Sequence, residues 1–204
     1  LDYVYFARLL EADKQYEEAV VQFNKALSMD KSHTEIYKDI SDVYEKKRDF
    51  PKAIEAYKNY LDEMKSSPDI SDLFLYGRLN YYAATDSAYQ DKQPTYLAEA
   101  DTIFAQVAVK VPDNYLGNFW RARVNSLRDP ETTQGLAKPY YEAALSILEQ
   151  KPDATKSVLV ECNSYLGYYY FVKEDYNQSK QYWNKILEID PENETATKAL
   201  GGIK

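Results

Sequence analysis

The residues able to carry covalent or metal chemistry in this chain are few. His33 is the only histidine and Cys162 the only cysteine among 204 residues. A zinc site of the usual kind gathers several thiolates and imidazoles, and one of each does not supply that set. A nucleophile needs its base within hydrogen-bond reach, whereas Cys162 and His33 stand far apart in the sequence. The 33 aspartates and glutamates follow no calcium-loop spacing, and their pattern reads as solvated outer helix faces. The six glycines form no loop able to cradle a phosphate. A helical hydrolase would have carboxylates alone to work with. The sequence therefore predicts no catalytic residue, no metal and no cofactor.

What the chain holds in quantity is side chains that grip. There are 21 tyrosines, 7 phenylalanines and 2 tryptophans. Rings interspersed with arginine are what binding hot spots favour, since both give large contact area and arginine adds a bidentate hold on carboxylate. A net charge of -8 with no basic run argues against a phosphate-backbone partner, so no nucleic acid is expected. No apolar stretch approaches the ~20 residues that span a bilayer, and no membrane insertion is expected within these residues. A single thiol can make no internal disulfide and leaves the compartment open between a bacterial periplasm or cell envelope and the cytoplasm. Leu1 falls inside a helical pattern, so the chain reads as a fragment of a longer protein.

The elements that must position these rings show in the spacing. Between Tyr165 and Pro191 stand Leu166-Gly167, Tyr170, Ser179, Trp183 and Ile186. Gly167 and Ser179 are the small residues at which two helices cross, Trp183 and Ile186 form the apolar stripe of the second helix, and Pro191 ends the unit. Filling the crossing by Gly167→Leu is expected to cost about 1–3 kcal/mol through overpacking.

The same ladder recurs along the chain. Phe6, Ala7 and Leu10 with Ala19, Phe23 and Ala26 make a first copy, and Ile40, Ser41 and Tyr44 with Ala53, Tyr57 and Tyr60 follow it 34 residues later. A third has Tyr76 and Gly77, then Ala100, Phe104, Val107 and Pro112, with a long polar inter-helix loop expected over residues 85–95, or that loop with a frayed extra turn on either side. A fourth has Ala122, an enlarged turn over residues 129–135, then Ala137, Tyr141 and Ala144, with a register opening on Trp120 as the alternative. The helix that reaches Gly167 is expected to begin near Ala154, and one further helix over residues 192–200 is expected to stop at Gly201-Gly202.

This pattern resembles the tetratricopeptide repeat (TPR) family, whose unit repeats every 34 residues. The likeness is close in the first, second and fifth copies and looser in the third and fourth. It implies an all-α, right-handed superhelical solenoid of antiparallel helix pairs forming a single domain over residues 1–204. About five TPR-like repeats would occupy residues 1–33, 34–68, 69–113, 114–152 and 153–191, with a capping helix at 192–202. It also implies a concave groove lined by the first helices, and a role as a non-enzymatic scaffold or adaptor that binds a peptide or helix of a partner protein.

On that geometry the groove-facing residues are Arg8, Phe74, Arg78, Tyr81, Tyr82, Phe119, Trp120, Arg123, Tyr165, Tyr168 and Phe171. Arg8, Arg78 and Arg123 fall at one position of their repeats and would line up along the groove. Inter-repeat packing is the competing use of the rings. The clamp with which chaperone-tail receptors hold a terminal carboxylate is not matched, because Val4, Arg8 and Asp42 stand at its sites. The alternative function is an architectural spacer or oligomerisation module of a larger envelope or multidomain protein, including a homodimer through terminal helices.

Overall fold

A computed structural model of the chain describes residues 2–64, 66–151 and 153–203; Leu1 lies outside them. The described residues form eleven α-helices and no strand: α1 (Asp2–Ala12), α2 (Tyr16–Met29), α3 (Ile36–Lys46), α4 (Phe50–Glu63), α5 (Ile70–Thr85), α6 (Gln93–Lys110), α7 (Leu116–Arg128), α8 (Lys138–Leu148), α9 (Lys156–Val172), α10 (Tyr176–Ile189) and α11 (Glu194–Gly202). The chain divides into two compact units, Leu1–Glu99 and Ala100–Lys204. Helix α6 runs across the division.

The turns within pairs follow one recipe. Lys14, Arg48 and Glu174 each adopt a left-handed backbone, with φ of 61°, 59° and 60°, and each stands seven residues after the small crossing residue of its first helix. The residue that follows starts the next helix. The Asp49 and Asp175 side chains accept from the amides of Lys52 and Gln178, satisfying donors that a helix start leaves unpaired.

The crossings are tight, and two are pinned by a hydroxyl. Ser41 Oγ on α3 donates to the Ala53 carbonyl of α4 at 2.8 Å, and Ser179 Oγ on α10 donates to the Gly167 carbonyl of α9 at 2.8 Å. The serine has changed helices between the two pairs, yet it joins the same two positions. A Cβ on Gly167 would stand 2.7 Å from Trp183 Cε2, which confines the position to glycine. A second close approach lies at Gly117 of α7, where a Cβ would stand 2.5 Å from the Ala108 amide nitrogen of α6.

In the first unit α2 is sandwiched between α1 and α3, with Phe23 and Leu27 buried against Ala7, Leu10, Ile40 and Val43. A buried polar knot ties the next helices together. Asp72, in the first turn of α5, pairs with Lys38 of α3 at 2.6 Å and accepts from the Tyr57 hydroxyl of α4 at 3.3 Å.

Two expected boundaries differ in detail. The inter-helix connection over residues 85–95 is more an extra turn than an open loop: α5 runs to Thr85, Ser87–Lys92 forms a short 3-10 segment, and α6 begins at Gln93. Pro94 opens that helix, where its missing amide hydrogen costs nothing. Asp86 holds the segment by accepting from Ala88 N at 2.9 Å and pairing with Arg48 at 2.6 Å. Helix α9 starts at Lys156 with Thr155 as its N-cap, within two residues of the start expected near Ala154. Gly201 and Gly202 form the last turn of α11 instead of stopping it, and the helix closes at Ile203, whose amide donates to the Leu200 carbonyl. The enlarged turn over residues 129–135 is organised by buried Asp129, whose Oδ2 accepts from the amides of Gln134, Gly135 and Leu136.

Candidate functional site

Successive first helices are joined by ion pairs, and the three aligned arginines make them. Arg8 of α1 reaches Asp39 of α3 at 2.9 Å, and Arg78 of α5 reaches Glu45 at the other end of α3 at 3.3 Å. In the second unit Arg123 of α7 grips Glu161 of α9 with both ends of its fork, at 2.8 and 2.6 Å. Tyr141 adds its hydroxyl to the same carboxylate at 3.1 Å. The bidentate hold expected for a partner's carboxylate is thus made on the chain's own. Between Arg8 and Arg78 runs a second link, in which Lys46 bridges Glu11 at 2.5 Å and Asp42 at 2.7 Å. Asp42 and Glu11 hold that ammonium up, while burial pushes the Glu11 carboxyl up.

The rings divide into packed and open groups. Phe119 and Trp120 are buried in the second unit: Trp120 stacks on Phe104 with centroids 5.4 Å apart, and Phe119 meets Tyr141 at 6.3 Å. Arg123 lies over both, 4.5 Å from the Phe119 centroid and 5.1 Å from that of Trp120. Tyr165 packs against Tyr141 at a tilt of 32°, with centroids 4.7 Å apart, and burial pushes its phenol up to about 12. In the first unit Phe74, Tyr81 and Tyr82 are half-buried. Tyr82 packs against Phe50 at 6.4 Å and lies under Arg78 at 5.5 Å.

Tyr168 and Phe171 are open. Side by side on α9, they line an apolar slot of about 230 Å³ closed by Trp183 of α10 and by Ala199 and Ile203 at the end of α11. A larger cleft of about 480 Å³ lies in the first unit between the start of α1, the end of α2 and the start of α3, with Tyr5, Arg8, His33 and Asp39 on its walls. The first helices thus border a charged cleft at Arg8 in the first unit and an aromatic slot at Phe171 in the second; a further cleft of about 450 Å³ lies on α9 at Leu159 and Asn163.

The reactive residues sit apart from these openings or are already engaged. Cys162 is fully buried, and burial pushes its thiol up to about 12. His33 Nδ1 lies 3.1 Å from Glu35, and its Nε2 lies 3.5 Å from Asp30. Among the described residues no three His, Cys, Asp or Glu side chains gather as a metal site, and no helix is long and apolar enough to cross a membrane. Sequence reasoning missed Trp183, Ala199 and Ile203 as walls of the slot, although Leu200-Gly201 repeats Leu166-Gly167 after 34 residues and marks α11 as another first helix.

A family model described as tetratricopeptide repeat matches residues 3–33 and 165–193, on the first and fifth helix pairs. Comparison with curated proteins finds no match. Among solved structures, the C-terminal part of a TPR repeat-containing protein from Cytophaga hutchinsonii is similar over 98% of this chain and 72% of that chain, with 31% identity and a TM-score of 0.83. YrrB, a TPR protein with an unusual peptide-binding site, aligns over 97% of this chain and 89% of its own at 19% identity and a TM-score of 0.63. MamA aligns over 93% and 96% at 14% identity and a TM-score of 0.65; these two share the fold. A chain that repeats the small-residue crossing and resembles such a relative over almost its whole length belongs to the tetratricopeptide repeat family, a fold of protein-interaction scaffolds.

Proposed function

We propose that this chain is a non-enzymatic scaffold that holds an extended segment or short helix of a partner protein on the face of its first helices. The observation that carries the reading is the aromatic slot beside Tyr168 and Phe171, two large rings left about two-fifths exposed at 42% and 41% over an apolar cavity. Exposed rings beside an apolar pocket are the usual anchor points of an interface. The internally paired arginines keep neighbouring first helices in register. In doing so they pre-organise the surface and lower the ordering cost of binding. A peptide-binding site on the same fold in YrrB is consistent with this use.

Arg8, Arg78 and Arg123 are all committed to the chain's own carboxylates, and this favours a second reading, an architectural spacer. One experiment separates the two. Peptides selected from a random display library against the chain should carry large apolar or aromatic residues and should lose binding to a Tyr168→Ala, Phe171→Ser variant. Failure to select any peptide, or selected peptides indifferent to those two residues, would leave the spacer as the better account.

A further inference from the structure

The cleft of about 450 Å³ on α9 lies inside the second unit, between the last turns of α8 and α10. Leu145, Leu148 and Ile189 come from those turns, and Leu159 faces them from α9. Helix α9 begins eleven residues before Gly167, whereas α3 begins five before Ser41. The added turns carry Lys156 and Leu159 onto the wall.

The cleft opens where other first helices place a large side chain. Asn163 stands four residues before Gly167, as Tyr37 and Leu73 stand before Ser41 and Gly77. Tyr37 packs against the cluster that holds Phe23 and Leu27, and Leu73 is 5% exposed. The 34-residue pattern has a tryptophan at this position. In the second helices Leu27 and Leu145 each stand eight residues after the small residue, Ala19 or Ala137. A ring therefore meets Leu27's cluster in the first unit, and a short amide stands opposite Leu145 in the second. Asn118 of α7 has the same register and is half-buried.

Asn163 is also incompletely bonded. It is 1% exposed, and its Nδ2 donates to the Leu159 carbonyl at 2.7 Å, while its Oδ1 meets no donor among the described residues. A buried carbonyl oxygen in that state favours any group that brings it an N–H or O–H. Charge on the rim adds a second preference. Glu149 is paired with Lys185 at 2.8 Å, which leaves Lys151, Lys156 and Glu188 as two cations against one carboxylate.

We propose that this cleft takes the tryptophan or tyrosine side chain of a partner segment, its ring N–H or O–H donating to Asn163 Oδ1, with a neighbouring acidic residue of that segment held by Lys156. The ring restores the apolar volume that Tyr37 supplies in the first unit, and its donor completes the amide. A leucine would fill the space and leave the oxygen unserved. The volume is within the range of ligand pockets. The cleft is separate from the slot at Tyr168 and Phe171, so this inference stands or falls apart from the function proposed above.

The test titrates acetyl-Trp-Glu-amide into the isotope-labelled 204-residue chain and follows the Asn163 side-chain amide by nuclear magnetic resonance. That resonance should move to saturation. Acetyl-Leu-Glu-amide, which has no ring donor, should bind more weakly by at least about five-fold, and acetyl-Trp-Gln-amide by roughly two- to five-fold. Asn163→Leu gives α9 the residue that α5 carries at Leu73; it should abolish binding and leave the unfolding midpoint equal or higher. Lys156→Glu, at an exposed residue, should remove the advantage of the glutamate probe, and Tyr168→Ala with Phe171→Ser should leave the titration unchanged. No movement of the Asn163 resonance, equal binding of the tryptophan and leucine probes, or binding that survives Asn163→Leu would overturn the proposal. So would tighter binding of indole-3-acetate than of the dipeptide, because it would give the cleft to a free aromatic acid.

Discussion

Replacing Gly167 and Gly201 by alanine should move stability in opposite directions. The two glycines stand 34 residues apart in the same Leu-Gly pair, Gly167 inside α9 and Gly201 in the last turn of α11, where the helix cost of glycine is smaller. In a helix interior alanine gains about 0.5–1 kcal/mol over glycine. At Gly167 that gain is overturned. The new Cβ would stand 2.7 Å from Trp183 Cε2 and 2.9 Å from Nε1, about an ångström inside normal carbon contact. Trp183 is buried at 6% exposure, so its ring has little room to retreat and α10 must shift.

Overpacking of this kind costs about 1–3 kcal/mol, and lengthening the Ser179 to Gly167 hydrogen bond of 2.8 Å takes back part of the ~1 kcal/mol such a bond contributes. The net expectation is a loss of about 1–2 kcal/mol. At Gly201 nothing lies within 4 Å of the added methyl, and Gly201→Ala should gain less than about 1 kcal/mol. Equilibrium urea unfolding followed by tryptophan fluorescence reads both as midpoint shifts. A Gly167→Ala midpoint at or above that of the parent would refute the crossing as drawn.

Other consequences follow from single groups. Asp129→Ala leaves the amides of Gln134, Gly135 and Leu136 without their acceptor and should destabilise by about 1–3 kcal/mol; hydrogen exchange at these three amides should accelerate ahead of the rest of the second unit. The Asp86 carboxyl is held below its usual value of 3.8 by the Ala88 amide and Arg48. Its tether on the 3-10 segment is therefore complete above that value and is lost as pH falls through the lowered pKa, which the Ala88 amide resonance would report in an acid titration, while Asp86→Asn should flatten the response. Cys162, buried and pushed up to about 12, should resist a thiol reagent at mildly alkaline pH in the folded chain and react at once in denaturant. Prompt labelling of the native protein would contradict its placement.

Much of the fold was legible because the helix crossings depend on small residues at fixed spacing. Ala7, Ser41, Gly77, Ala122 and Gly167 are all buried, and the pairs α1–α2, α3–α4 and α9–α10 lie where the ladder puts them. Gly117 was missed, since its partner Ala108 is held by backbone approach and leaves no periodic mark. The candidate site was less legible for a related reason. Periodicity tells which residues share a face of one helix and is silent on what stands opposite. Arg8, Arg78 and Arg123 do share a repeat position, yet their carboxylates lie 31, 33 and 38 residues away, so no constant offset announces the pairing. Phe119 and Trp120 look like groove residues by register, while their contacts with Tyr141 and Phe104 draw them into the packing of the second unit. The slot at Tyr168 and Phe171 needed Ile203, a residue past the last turn of α11 with no counterpart in the ladder.

The function proposed for this chain rests on Phe171 facing a partner. A photo-reactive benzoylphenylalanine placed at that residue, in the full-length protein within its own cells, tests it directly. Val109, 81% exposed on α6, is the control position on a second helix. Illumination should join a discrete partner to the chain at Phe171 and none at Val109. No adduct at Phe171, or the same adducts from both positions, would contradict the account.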